Sequence, residues 1–225
     1  MCFSPEADLV SGIVIGAIGI EAFRHVSRPA ERALAAVPVV LGVHQLVEAV
    51  VWWALQGDLP GRWVEPAATA YLLIAFGVLP ILVPAAVGAL EPESNRRRLA
   101  VFTAIGVAVS AVLVHAIVRG PVVAAIDGHH ISYGVDLWHG GLIVAFYVVA
   151  TCGALLASVH RHVRWFGMVN LVVVAALVAL DRGALISLWC AWAAVTSIAI
   201  SLHLRRGGDA ELVTAARSPR AAPAG

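Results

Sequence analysis

Lysine is absent from this 225-residue chain: all fifteen basic residues are Arg. Its absence excludes retinal-type photochemistry, which needs a lysine amine to form the Schiff base. Charge of either sign is scarce at 13% of residues, and the formal net charge is +1. That balance argues against a nucleic-acid partner, which would call for a clustered basic face. The three cysteines, Cys2, Cys152 and Cys190, show neither a CxxC nor a zinc-knuckle spacing. Their odd number excludes a fully paired intramolecular set, although a Cys2–Cys190 bridge stays open. There is no P-loop, no GxSxG, no HExxH, and no GxGxxG in a strand-to-helix context.

What the chain has is apolar sequence: 60% hydrophobic residues and a mean hydropathy of +0.89. Crossing ~30 Å of hydrocarbon takes about 20 apolar residues as helix. Seven runs qualify, at roughly 9–23, 33–55, 67–90, 99–118, 135–158, 163–180 and 184–204. They predict an all-α, seven-transmembrane-helix bundle over residues 1–206 and a disordered tail at 207–225. Twelve of the Arg residues fall in alternate loops and the tail, while Arg62, Arg119 and Arg182 fall in the opposite set. The positive-inside rule then sets the N-terminus outside and the C-terminus in the cytoplasm of a multi-pass protein.

"SPEAD" supplies a helix start, with Ser4 as N-cap, Pro5 at the first helical position, and Glu6 and Asp8 where the helix dipole favours acid. No cleaved signal peptide is expected from so acidic an opening. Pro38, Pro80 and Pro84 predict kinks. The longest outer connection, 119–136, is apolar enough to lie in the interface as a lid.

Ionisable side chains inside a span cost at least ~2.5–3.5 kcal/mol on insertion scales, so each is a functional candidate. His44, Glu48 and Trp52 are spaced i, i+4, i+8 and share one face of the second helix. Burial would turn Glu48 into a proton donor. Trp52, Trp189 and Trp192 offer aromatic faces that stabilise cations. Asp181 lies at the end of the sixth helix. Asp136, His139 and Tyr147 run along one side of the fifth helix, and His115 lies near the end of the fourth. His44, Glu48, His115 and His139 would also compose a three-His, one-carboxylate zinc site. Cys190, Ser197 and Ser201 form a small polar stripe suited to helix packing.

"MCFS", "HQLVEAVVW" and "SLWCAWAAVTS" together resemble a bacterial seven-helix membrane family of largely unknown function whose members open Met-Cys-Phe-Ser. The likeness covers the whole membrane domain and implies a bacterial cell-membrane location. Gln is common in that family where His44 stands, and Gly where Ala49 stands. Size, helix count, a deep Glu and abundant aromatics also resemble the integral membrane terpene cyclases of drimentine and meroterpenoid pathways. That second resemblance implies an isomerase of terpenoid biosynthesis that cyclises a prenyl chain through a carbocation, without metal or cofactor. The expected catalytic residues are Glu48, with His44 or Asp181 supporting the acid or taking the final proton. Trp52, Trp189, Trp192, Tyr147, His115 and His139 would bind a lipophilic prenylated substrate among membrane lipids. Two rival expectations stand beside it: a zinc-dependent lipid hydrolase using His44, His115 and His139, and a non-enzymatic transporter or receptor.

Overall fold

Apolar sequence with helical spacing folds here into a bundle of seven helices, seen in a computed structural model that describes residues 4–128, 130–137, 139–180, 192 and 194–205. Helix α1 spans Pro5–Arg24 and α2 spans Arg32–Gln56. Helix α3 runs over Gly61–Leu90 and α4 over Glu93–Arg119. Helices α5 (Gly140–Leu156), α6 (Arg161–Leu180) and α7 (Ala194–Arg205) complete the set. Among the described residues three helices, Pro29–Gln56, Gly61–Leu90 and Glu93–Arg119, are long and apolar enough to cross a membrane. Asp181, Trp189, Cys2, Cys190 and the tail 207–225 lie outside the described residues.

Ser4 caps α1 through its Oγ, which accepts from Ala7 N at 3.3 Å, with Pro5 beginning the helix. Helices α1 and α2 then pack through glycine. A Cβ on Gly42 would stand 2.6 Å from the backbone nitrogen of Gly16, and one on Gly12 would stand 2.8 Å from Leu46. Only bare backbone permits so close a crossing. The same α1 face carries Asp8, Ser11, Gly12, Ile15 and Gly19, all buried. Asp8 is therefore turned into the protein, whereas the sequence suggested only an acid serving the helix dipole.

Helix α3 is interrupted by a π-turn at Leu73–Val78. Pro80 cannot donate to the carbonyl four residues earlier, and a wider turn is one way a helix absorbs that loss. Side chains supply part of the missing hydrogen bonding. Ser110 Oγ donates to Gly77 O at 2.7 Å, and the Tyr147 hydroxyl donates to Ala75 O at 3.1 Å. Tyr147, expected to bind substrate, is thus held by the helix backbone and by an edge contact with Phe76.

The all-α expectation needs correction. Residues Val122–Asp127 (β1) and His130–Val135 (β2) pair antiparallel, with Val122 opposite Val135 and Ile126 opposite Ile131. Gly128, at φ +59°, supplies the left-handed residue that a tight hairpin turn needs. The fifth helix accordingly starts at Gly140, not near 135. Asp136 and His139 precede it, exposed, and His139 has a left-handed backbone at φ +55°. The segment escaped notice because "VVAAID" lacks alternation, so its strand character comes from pairing rather than from period.

The Arg-rich end of the bundle is fastened by acids. Glu91, between α3 and α4, is 2% exposed. It accepts from Asn95 Nδ2 at 2.8 Å, from Val159 N at 3.1 Å and from Ser158 Oγ. Burial alone would raise its proton affinity, but these donors outweigh it and hold the carboxyl below the usual glutamate range. Glu31 does the same at the start of α2, taking Arg28 Nη2 at 2.7 Å and Ser27 N at 3.0 Å. Helix α7 closes this side, with Leu204 packed on Ala22 and Ala35. Ser197 and Ser201 are buried, in keeping with a packing stripe.

Candidate functional site

At the opposite, Arg-poor end, three elements and the hairpin bring polar side chains into a closed interior. The spacing of His44, Glu48 and Trp52 turns all three inward from α2, at 2%, 0% and 3% exposure. Helix α1 sets Asp8, fully buried, beside them because the glycine crossing fixes which face of α1 meets α2. Ser11 Oγ links the two helices by donating to Gln45 Oε1 at 3.4 Å. Helix α3 adds Tyr71, and strand β2 adds Tyr133.

Three rings from these elements form a column. His44 stacks on Tyr71 with centroids 3.9 Å apart and planes inclined by 25°. Tyr71 stacks in turn on Tyr133 at 4.5 Å and 13°. The Tyr71 hydroxyl is a hydrogen-bonding neighbour of the Glu48 carboxyl. Asp8 and Glu48 lie within electrostatic reach of each other and of both tyrosines. Trp52 sits next to Asp8. Burial and the two carboxyls push the Tyr133 phenol well above the ordinary tyrosine range, so it remains a neutral O–H.

The cluster is under-satisfied. Both Asp8 oxygens, both His44 ring nitrogens, the Trp52 indole nitrogen and the Tyr133 hydroxyl have no hydrogen-bond partner among the described residues. Buried polar atoms are nearly always paired, and the exceptions concentrate at sites with a chemical task. Over the cluster lies the hairpin: Ile131, fully buried, packs on Val51, Trp52 and Ala67. The connection expected as a lid thus contains a hairpin, Val122–Val135, that packs on Trp52. A groove of about 740 Å³, lined by Ala85, Ala89, Arg96, Ala100 and Ala104, lies instead at the Arg-rich end.

The other expected site residues fall elsewhere. His115 and His139 are exposed, on α4 and before α5, whereas His44 is buried. Among the described residues no three His, Cys, Asp or Glu side chains come together as metal ligands. Trp192 is held by α6, its indole donating to Asn170 Oδ1 and its ring stacked on Phe166 at 6.0 Å. It takes no part in the ring column. Sequence reasoning missed Asp8, Gln45, Tyr71 and Tyr133. For Asp8 the signal was present: it is spaced i, i+4, i+8 with Gly12 and Gly16, the stripe most suited to a close helix crossing.

Chemically, the cluster offers two carboxyls that can donate or accept a proton and four aromatic rings that present π faces to positive charge. Comparison with known proteins adds kinship without an activity. No curated protein matches the chain, and no solved structure does. A family model described as a family of unknown function, DUF6629, matches residues 1–215. The chain belongs to that family, DUF6629.

Proposed function

We propose that this protein is an integral membrane terpene cyclase, multi-pass in a bacterial cell membrane, with its N-terminus outside and its C-terminus in the cytoplasm. Glu48 donates a proton to the distal alkene of a membrane-dissolved farnesyl or related prenyl chain, attached to an indole or a cyclodipeptide. The resulting cation migrates along the aromatic wall of Trp52, Tyr71 and Tyr133 until ring closure. Exclusion of water protects it from early quenching. The reaction is an isomerisation and consumes no cofactor.

The observation that carries this reading is a fully buried carboxyl, Glu48, set against a stacked column of His44, Tyr71 and Tyr133 beneath an apolar hairpin. The three long apolar helices and the asymmetric Arg distribution support the membrane setting. Against the hydrolase alternative, His115 and His139 are exposed while His44 is buried, and no such group of ligands comes together among the described residues. The deciding experiment incubates membranes containing the protein with a farnesylated indole or cyclodipeptide and looks for a product of equal mass and different retention. Conversion is expected, and Glu48→Gln abolishes it. Conversion that survives Glu48→Gln refutes the acid assignment.

A further inference from the structure

A proton donor that works repeatedly must be recharged, and at this site the means lies on α1. Asp8 is fully buried, and neither of its carboxyl oxygens has a hydrogen-bond partner among the described residues. It interacts electrostatically with Glu48. The groups facing the pair are Trp52 beside Asp8, Tyr71 beside Glu48, and Tyr133 from the hairpin, with His44 stacked on Tyr71. Two carboxylates in mutual reach inside a low-dielectric interior do not both ionise near neutral pH. Their surroundings divide the roles. Asp8 sits in the first turn of α1, where the helix dipole favours negative charge. Glu48 lies within α2, away from either helix end, where no such dipole assists ionisation.

We propose that Asp8 and Glu48 hold a single proton between them, with the proton on Glu48 and the charge on Asp8, and that Asp8 is the base that recovers the proton when the reaction ends. The second half of this statement rests on the cyclase reading. In the first step the Glu48 O–H bond breaks as its hydrogen bonds to the terminal alkene carbon, using the π electron pair and leaving a carbocation and a Glu48 carboxylate. Ring closure moves the positive centre. A C–H bond next to that centre then breaks, its electron pair becomes the new C=C, and the proton passes to the Asp8 carboxylate. Transfer from Asp8 to Glu48 restores the starting state. Atoms and charge balance with no oxidant or co-reactant. Asp8 thereby replaces His44 and Asp181 as the terminal base.

The test is an infrared pH titration of the full chain in phosphatidylcholine nanodiscs, following the C=O stretch of protonated carboxyls. Wild type is expected to show one such band at neutral pH, and Glu48→Gln to lose it. Asp8→Asn keeps the band but titrates at least about one pH unit lower, a tenfold weaker hold on the proton, because the neighbouring charge is gone. Asp8→Glu, which retains a second carboxyl, keeps the wild-type midpoint more closely and guards against misreading a folding defect. No band in wild type at neutral pH overturns the proposal, as does an unchanged midpoint in Asp8→Asn. With the farnesylated substrate, Asp8→Asn is expected to lose turnover and Asp8→Glu to recover part of it. A coupled pair in a protein that converts no prenylated compound upholds the shared proton and removes the cyclase reading. Conversion without a protonated carboxyl overturns both the shared proton and Glu48 as the acid.

Discussion

Glu91→Gln isolates a single charge at the junction of α3, α4 and the α5–α6 connection. The carboxylate accepts from Ser158 Oγ, Asn95 Nδ2 and Val159 N, and it is 2% exposed, so water cannot replace what is lost. Gln keeps the shape, but its amide nitrogen turns a donor toward a donor at one of these contacts. Losing one or two charge-assisted hydrogen bonds is worth about 2–4 kcal/mol. For a chain of this size that is a fall of roughly 5–15 °C in Tm. The pH dependence gives a second handle. Glu91's folded-state proton affinity lies below the ordinary glutamate value of 4.5. Its stabilisation is therefore complete above that pH and is lost as pH falls through the lower folded value. Thermal unfolding in a mild detergent at pH 7, and then at steps of falling pH through and below the glutamate range, measures both effects. Wild type and Glu91→Gln are expected to differ strongly at pH 7 and to converge in acid. Equal stability at pH 7, or a gap that does not narrow in acid, refutes the reasoning.

Two further outcomes test the frame around the site. Gly42→Ala places a methyl 2.6 Å from Gly16 N, which forces α1 and α2 apart and costs about 1–3 kcal/mol. It should lower Tm, and cysteine cross-linking between the two helices would report the separation. Ile131→Ala removes a fully buried side chain from the contact with Val51, Trp52 and Ala67; the loss is about 2–5 kcal/mol. Hydrogen exchange should quicken across Val122–Val135 while α2 stays protected, and uniform exchange across both would count against the hairpin as a separately opening layer.

The helices were legible in the sequence because each apolar run is longer than any competing element could be. Helix α2 shows this well: its period alone turned His44, Glu48 and Trp52 to one side, and all three are buried together. What periodicity does not encode is which faces meet. Asp8 read as an acid serving the dipole at a helix start, because the glycine crossing that turns it inward is a property of α1 and α2 jointly. Tyr71 and Tyr133 carry no local mark of function, and their stack on His44 joins three distant stretches of chain. The fifth helix was started too early for a related reason: "ISYGV" is apolar enough to extend a helix, and only its partner strand makes it a strand. Trp192 was grouped with Trp52 by residue type, yet Asn170 and Phe166 hold it against α6.

The hairpin has a temporal meaning as well as a spatial one. A ribosome delivers Asp8 and Glu48 on the first two helices long before it reaches Tyr133 and Ile131. Whatever the order of docking, the two acids cannot be covered by Ile131 and Tyr133 until those residues have been made. Enclosure of the acids by the hairpin therefore waits on β2, whose last residue is Val135, and a chain cut short of it would leave Val51, Trp52 and Ala67 without the Ile131 contact.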